Sequence, residues 1–315
     1  MAFQNKAAED DYYRVSLPQS EWLYIDRWLG DNVSLTSVVL TELNRIKKTN
    51  QKGPRKSVQI GIPSIDAMIG GVAPGDVLYI GSTEEDYNFA VGLNILHAAG
   101  ISSNKVLVFN SGRGQYSYAR GLITLCTGIE ERKLQNAQLL SKDDLMAVEE
   151  TVNTLQMSNI SIVSTPNAFV EDVYEELKKL KEADYPVFIL IDNLSFLTTK
   201  ELCSDREDEQ RKIAKMLWTL AKDTRIPIVL TGPLSKKRRK MKDYRPSAAD
   251  LPSAGIINFL DKIVTIHKQD DKCDNINITA IKNPDGTYGY RKIKYDPVCK
   301  KLTELLVQQD IDNPT

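Results

Sequence analysis

Seven basic residues crowd into ten positions of this sequence: Lys236, Lys237, Arg238, Arg239, Lys240, Lys242 and Arg245, against a single Asp243. The segment carries +6, and because the chain as a whole sums to −1, everything else carries −7. Lysine and arginine at this density hold polyanions by releasing condensed counterions, with no base readout needed. Six neutralised phosphates on a single strand give a salt slope of about −4. Tyr244, inside the run, offers one aromatic face for a stacked base. A solvated charge run or a nuclear-localisation-like patch has the same composition, so the binding reading needs support from position.

A second place for chemistry is the connection that starts at Gly81 and reads GSTEEDYNFA after the β-rich DVLYIG. A phosphate-cradling loop here would read G-x-x-x-x-G-K-[ST]. Counted from Gly81, the second glycine position holds Asp86, the lysine position Tyr87 and the Ser/Thr position Asn88. Phosphoryl transfer is mostly positioning and charge neutralisation, so losing the lysine removes the main cation besides a metal. Glu84, Glu85 and Asp86 add negative charge instead. Two like charges ~4 Å apart near a surface repel by about 4 kcal/mol at an effective dielectric of about 20. Asp86 also brings a side chain where glycine lets backbone approach phosphate. The plain alternative is a strand–helix connection whose acidic start suits the helix dipole.

Other chemistry is thin. Cys126, Cys203, Cys273 and Cys299 lie far apart with no C-x-x-C pair, which excludes a zinc ribbon and argues against a disulfide framework. With only His97 and His267 besides, no metal site is expected. His97 reads as buried scaffolding on an apolar helix, and Trp22 and Trp28 as helix-packing core. Hydrophobic residues at 42% and charged residues at 26% are ordinary globular values. No apolar run approaches the ~20 residues that span a bilayer, and Met1–Asp11 is too acidic for a signal peptide. A cytoplasmic protein without membrane contact is the expectation.

The elements that must position these groups fall into two sections. Residues 1–50 read as a helical N-terminal segment in which Ser34–Lys48 is amphipathic, and residues 51–57 read as a linker because Gly53–Pro54 cannot continue a helix. From residue 58, apolar strand-like runs alternate with helical ones: Asp76–Gly81, Lys105–Asn110, Ile160–Val163, Val187–Asp192, Ile226–Thr231 and Lys262–His267. Strands apolar on both faces and separated by helices imply a doubly wound, mostly parallel α/β sheet covered on each side. Such sheets bind ligands beyond the C-terminal strand ends. Residues 58–305 would form this domain and 306–315 a polar tail.

The order of segments resembles the RecA-like motor domain of DnaB-type hexameric replicative helicases over about Ile60–Tyr295. IGIPSIDAMIGGVAPGDVLYIG is similar to the entry into that family's phosphate loop, VLVFNSGRG to its second strand, VFILIDNLSFL to its Walker B strand and IPIVLTGPLSKK to its sensor strand. RPSAADLPSAGIINFLDKIVTIHK and NITAIKNPDGTYGYRKIKY resemble the segment and hairpin that end the domain. The helicase N-terminal helical domain is not matched, though Ser34–Lys48 could correspond to the family's subunit-docking helix.

Carried over residue by residue, the resemblance makes Asp192 the Walker B aspartate, with Asn193 after it. Asn110, Ser111 and Gly112 stand where the catalytic glutamate is expected, Pro233 where the sensor glutamine is, and Ala280 and Lys282 where the finger lysine and arginine are. The resemblance therefore implies no catalytic residue, a degenerate nucleotide site at Gly81, Asp86, Tyr87, Asn88 and Asp192, and Lys282 as a candidate subunit contact. It also places the basic run on the family's pore-facing DNA loop. The expected function is a catalytically degenerate accessory factor of DNA replication or recombination that binds single-stranded DNA, self-associates or pairs with a replicative helicase, with no cofactor. Two alternatives stand: an active NTPase using ATP and magnesium, with Asp192 holding the metal and Lys105 or a neighbour's lysine replacing the lost cation, and an assembly protein that binds only protein.

Overall fold

The computed structural model describes residues 57–101, 105–110, 112–164, 169–180, 185–235, 244–268, 275–284 and 289–305, together with positions 39, 40 and 43. The chain divides into two compact units, Met1–Lys56 with Glu175–Lys181, and Ser57–Tyr174 with Glu182–Thr315. In the first, positions 39, 40 and 43 are helical; Trp22, Trp28 and the rest of the expected amphipathic stretch lie outside the described residues.

The second unit carries α1 (Pro63–Ile69), β1 (Val77–Ser82), α2 (Glu85–Ile101), β2 (Val106–Asn110), α3 (Gln115–Thr127), α4 (Glu131–Gln135), α5 (Lys142–Leu155), β3 (Ile160–Ser164), β4 (Phe188–Asp192), α7 (Arg206–Thr224), β5 (Ile228–Pro233), β6 (Lys262–His267), β7 (Asn275–Lys282), β8 (Gly289–Asp296) and β9 (Lys301–Glu304). Helix α6 (Val170–Lys178) lies between β3 and β4 in the chain, and its residues through Tyr174 belong to this unit. All nine strands form one sheet in the order β3-β2-β4-β5-β1-β6-β7-β8-β9. The first six run parallel, and β6 through β9 pair antiparallel. The doubly wound, mostly parallel architecture expected from the apolar runs is therefore present.

Composition explains the layering. Every residue of β1, β2, β4 and β6 is buried, as strands covered on both faces must be. Helix α2 buries Phe89, Ala90, Val91, Leu93, Ile95 and Leu96 around much of its circumference, so it fills the core instead of lying on a solvated surface. His97, expected to be buried on this helix, is only half-buried. Helices α4 and α5 and strand β9 escaped the sequence reading: α5 buries no residue completely, although Ser141 and Asp144 cap its start reciprocally.

Several cations that look available in the sequence are committed to backbone. Lys262 is buried, and its Nζ donates to the carbonyls of Ile69 (2.8 Å) and Gly71 (2.9 Å), closing the C-terminus of α1. Asn283 adds a donation to Met68 O at 3.0 Å. The Arg206 guanidinium donates to the carbonyls of Leu194, Ser195 and Leu197, fixing the loop after β4. The described residues include no helix long and apolar enough to cross a membrane.

Candidate nucleotide and nucleic-acid sites

The β1–α2 connection is short. Strand β1 ends at Ser82 and the chain is already helical at Glu85, the fifth position counted from Gly81. Ser82 Oγ donates to the Glu84 carbonyl and Tyr87 N to the same oxygen, so the bend is stabilised from within. Gly81 lies under Leu234, whose Cδ2 would sit 2.7 Å from a Cβ built there. Glycine at 81 thus accommodates a packed leucine.

The three family positions that would grip phosphate point elsewhere. Tyr87 is buried, its ring edge-on to Tyr295 with centroids 5.1 Å apart. Asn88 is buried and donates through Nδ2 to Gly232 O at 2.7 Å, tying α2 to β5. Asp86 and Glu85 are exposed at the helix start. Arg113, from the loop after β2, meets both, at 3.0 Å from Glu85 and 3.8 Å from Asp86, and stacks over Phe89 with its Cζ 4.4 Å from the ring centre.

Asp192 ends β4 in a buried hydroxyl network. Tyr118 Oη donates to Oδ2, and Thr231 Oγ1 donates to Oδ1 at 2.7 Å. Burial pushes the Asp192 carboxyl above the usual carboxylate range, against the lowering effect of those two hydroxyls and of Arg113. Burial first, and the Asp192 charge second, hold Tyr118 well above its ordinary value, so it remains a donor at neutral pH. Asp192 is thus a buried, hydrogen-bonded carboxyl at the end of its strand. Beside it, Asn110 closes a local turn, accepting from Arg113 N at 2.8 Å.

The other expected groups separate. Lys105 precedes β2 and so lies at the opposite end of that strand from Asn110, roughly 16 Å away at ~3.3 Å per residue. It cannot replace the missing lysine from there. Lys282 points inward: its Nζ donates to Ile257 O at 2.9 Å and Leu260 O at 2.5 Å, capping the 3-10 turn Ala254–Phe259 of its own chain. Lys236, Lys237, Arg238, Arg239, Lys240 and Lys242 lie outside the described residues. Arg245 is exposed, with its Cζ 5.9 Å from the Tyr290 ring centre. No group of three or more metal-ligating His, Cys, Asp or Glu side chains occurs among the described residues. Cys126, Cys203 and Cys299 are free thiols.

Sequence reasoning passed over Arg113 and His267. The first sits in SGRG as an ordinary surface cation would; only the return of the β2 loop toward α2 brings it to the acids. His267 ends β6, 2% exposed, its ring centre 6.1 Å from that of Tyr244 and its Nε2 3.5 Å from Asn277 Nδ2. Burial, with the Arg245 charge second, lowers it to about 4. Unfolded, the ring titrates near 6.5. Between those values the unfolded chain holds the extra proton, so the stability supplied by the neutral ring is complete above about 6.5 and drains away as pH falls toward 4. The gap amounts to on the order of 3 kcal/mol. Urea unfolding of wild type and His267→Asn from about pH 4 to 7 should show the stability difference changing across this window; a difference independent of pH contradicts the assignment.

Residues 57–304 match the family described as the DnaB-like helicase C terminal domain. The replicative DNA helicase DnaC of Bacillus subtilis (strain 168) is 24% identical over 265 residues, covering 81% of this chain and 58% of that protein. Among solved structures, a chain described as an ATPase domain superposes with a TM-score of 0.75 at 18% identity, covering 87% of this chain and all of that one. A DnaB-like replicative helicase, solved in a study of its interactions with primase, gives 0.74 at 18% identity, covering 95% of this chain and 75% of its own. The fold is thus RecA-like, and the chain spans about half the length of the curated relatives it matches.

Proposed function

This chain belongs to the DnaB-like helicase C-terminal domain family, and on that premise we propose that it is a catalytically degenerate member, a single-stranded-DNA-binding or helicase-associated accessory factor in DNA replication. The observation that carries the reading is Tyr87: where the family's phosphate loop holds its lysine, an aromatic ring is packed edge-on against Tyr295, in a helix that has already begun. Two exposed carboxylates, Glu85 and Asp86, both met by Arg113, occupy the first turn of that helix. Asp192, the residue that would approach a magnesium ion, has both oxygens engaged by buried hydroxyls. These residues do not fit a nucleoside triphosphate with its metal. What remains for function is the +6 segment at 236–245, on the connection that meets DNA in the resembled helicases. Its partners on this reading are single-stranded DNA and either further copies of the chain or a replicative helicase.

The test is a pair of titrations at low salt, labelled single-stranded DNA in one and magnesium-ATP in the other, with solution mass recorded at each step. Strand binding without phosphate release above the buffer rate is expected. Steady ATP turnover that disappears in Asp192→Asn would overturn the reading. One observation favours a second reading, an active NTPase: Arg113 places a guanidinium beside the connection, where a substitute cation would be needed. That version requires magnesium-ATP to raise the melting temperature of wild type and to lose this effect in Arg113→Gln.

A further inference from the structure

Strands β6, β7 and β8 have two very different faces. Ile266, Ile276, Ile278 and Ile293 enter the hydrophobic core from one. Pairing sets His267 opposite Asn277 and Asn277 opposite Lys292, and Thr265 opposite Thr279 and Thr279 opposite Tyr290. Directly opposed residues share a face, so these six side chains form two polar rows on the other side. A polar face turned to water would need no explanation. Here Thr265, His267 and Asn277 are 0%, 2% and 6% exposed.

A cavity of about 520 Å3 opens over this face, lined among others by Arg245, His267, Asn277, Thr279, Tyr290 and Lys292. That volume lies within the range of small-molecule sites, roughly 300–1,000 Å3. His267 Nδ1 is buried with no hydrogen-bond partner among the described residues, a cost that native structures seldom leave uncompensated. Arg245 and Lys292 bring two cations, and none of the described lining residues is a carboxylate, so the charge that these residues present favours an anion. Tyr290 is 53% exposed at its rim and offers a flat face for a ring. Asn277 and Thr279 add an amide and a hydroxyl that can read polar edges.

We propose that this pocket binds a mononucleotide-sized ligand, a planar heteroaromatic ring bearing a phosphate, stacked on Tyr290 with its phosphate held by Arg245 and Lys292. The site goes beyond the DNA-binding reading, because it uses neither the β1–α2 connection nor residues 236–242. The same chemistry has two sources, a free nucleotide or one unit of a single strand. Calorimetric titration with AMP, adenosine and inorganic phosphate separates the contributions of ring and anion, and a dT20 arm separates the sources. All arms use the full chain, repeated with the basic residues of 236–242 replaced by glutamine so that loss of the basic segment cannot imitate loss of the pocket.

AMP should bind more tightly than adenosine or phosphate alone. Lys292→Gln and Tyr290→Ala should each weaken it about tenfold or more. Arg291→Gln, on the opposite face of β8, should leave it unchanged. These positions are exposed, so thermal melts should match wild type and exclude unfolding as the cause. Strand binding alone, with the same dependence on Lys292 and Tyr290, assigns the pocket to a unit of nucleic acid. Absence of AMP and strand binding in the glutamine-substituted chain overturns the proposal, as does equal weakening by Arg291→Gln, which would mean unspecific charge attraction.

Discussion

Replacing Lys236, Lys237, Arg238, Arg239, Lys240 and Lys242 with glutamine should abolish the salt-sensitive part of affinity for a dT20 strand. Each phosphate neutralised on a single strand contributes roughly −0.7 to the slope of log affinity against log salt, so six give about −4. Between 50 mM and 200 mM salt, wild-type affinity should therefore fall about 250-fold, whereas the glutamine variant should be weak and nearly flat. Anisotropy titrations at four salt concentrations measure both slopes. The effect is large because the run concentrates +6 into ten positions of a chain whose remainder sums to −7. A wild-type slope near zero would make the segment a solvated surface run. Undiminished self-association in the glutamine variant, without strand binding by wild type, would instead favour an assembly protein that contacts only protein.

Asp192→Ala should destabilise the fold by about 4 kcal/mol, a large part of the total that holds a domain of this kind together. The carboxylate accepts from Tyr118 and Thr231, both 0% exposed. Removing it strands two buried hydroxyls, each costing about 1–3 kcal/mol, and leaves a small void. Asp192→Asn should cost only about 1 kcal/mol, because the amide keeps one acceptor oxygen and its NH2 can donate to the second hydroxyl. Urea unfolding with an unchanged m-value is the measurement. The contrast between the variants matters most: a structural carboxylate makes alanine far worse than asparagine for stability and leaves nucleotide behaviour untouched. If the two variants unfold like wild type while nucleotide-induced stabilisation vanishes, Asp192 is a metal-facing aspartate and the active reading gains.

Much of this molecule was legible in its residues. The six parallel strands were found within a few residues of their ends, because Val-, Ile- and Leu-rich runs without a polar face can only sit inside a covered sheet. Strand β9 and helix α5 were missed for the complementary reason: both are short of buried residues, so neither leaves a hydrophobic signature. The departure of the Gly81–Asn88 segment from G-x-x-x-x-G-K-[ST] was legible too, since a tyrosine at position 87 differs in kind from a lysine. Where Tyr87 went was not visible, because its partner Tyr295 is more than two hundred residues away. The polar face of β6–β8 did leave a trace, in the alternation of Ile266, Ile276, Ile278 and Ile293 with Thr265, His267, Asn277, Thr279 and Lys292. Nothing in that alternation distinguishes a solvated face from one enclosing a cavity.

By itself, then, the sequence determined the layered sheet, the acidic and lysine-free composition of the segment after Gly81 and the segregation of charge, all of which follow from residue type and short-range order. The tertiary structure alone decided which polar groups are already committed. Lys262 and Lys282 close helical ends, Arg113 answers two acids, Asp192 is held by two hydroxyls, and His267 is walled in beside an open pocket. The physical reason is that desolvation and hydrogen-bond satisfaction depend on through-space neighbours, which chain separation does not encode.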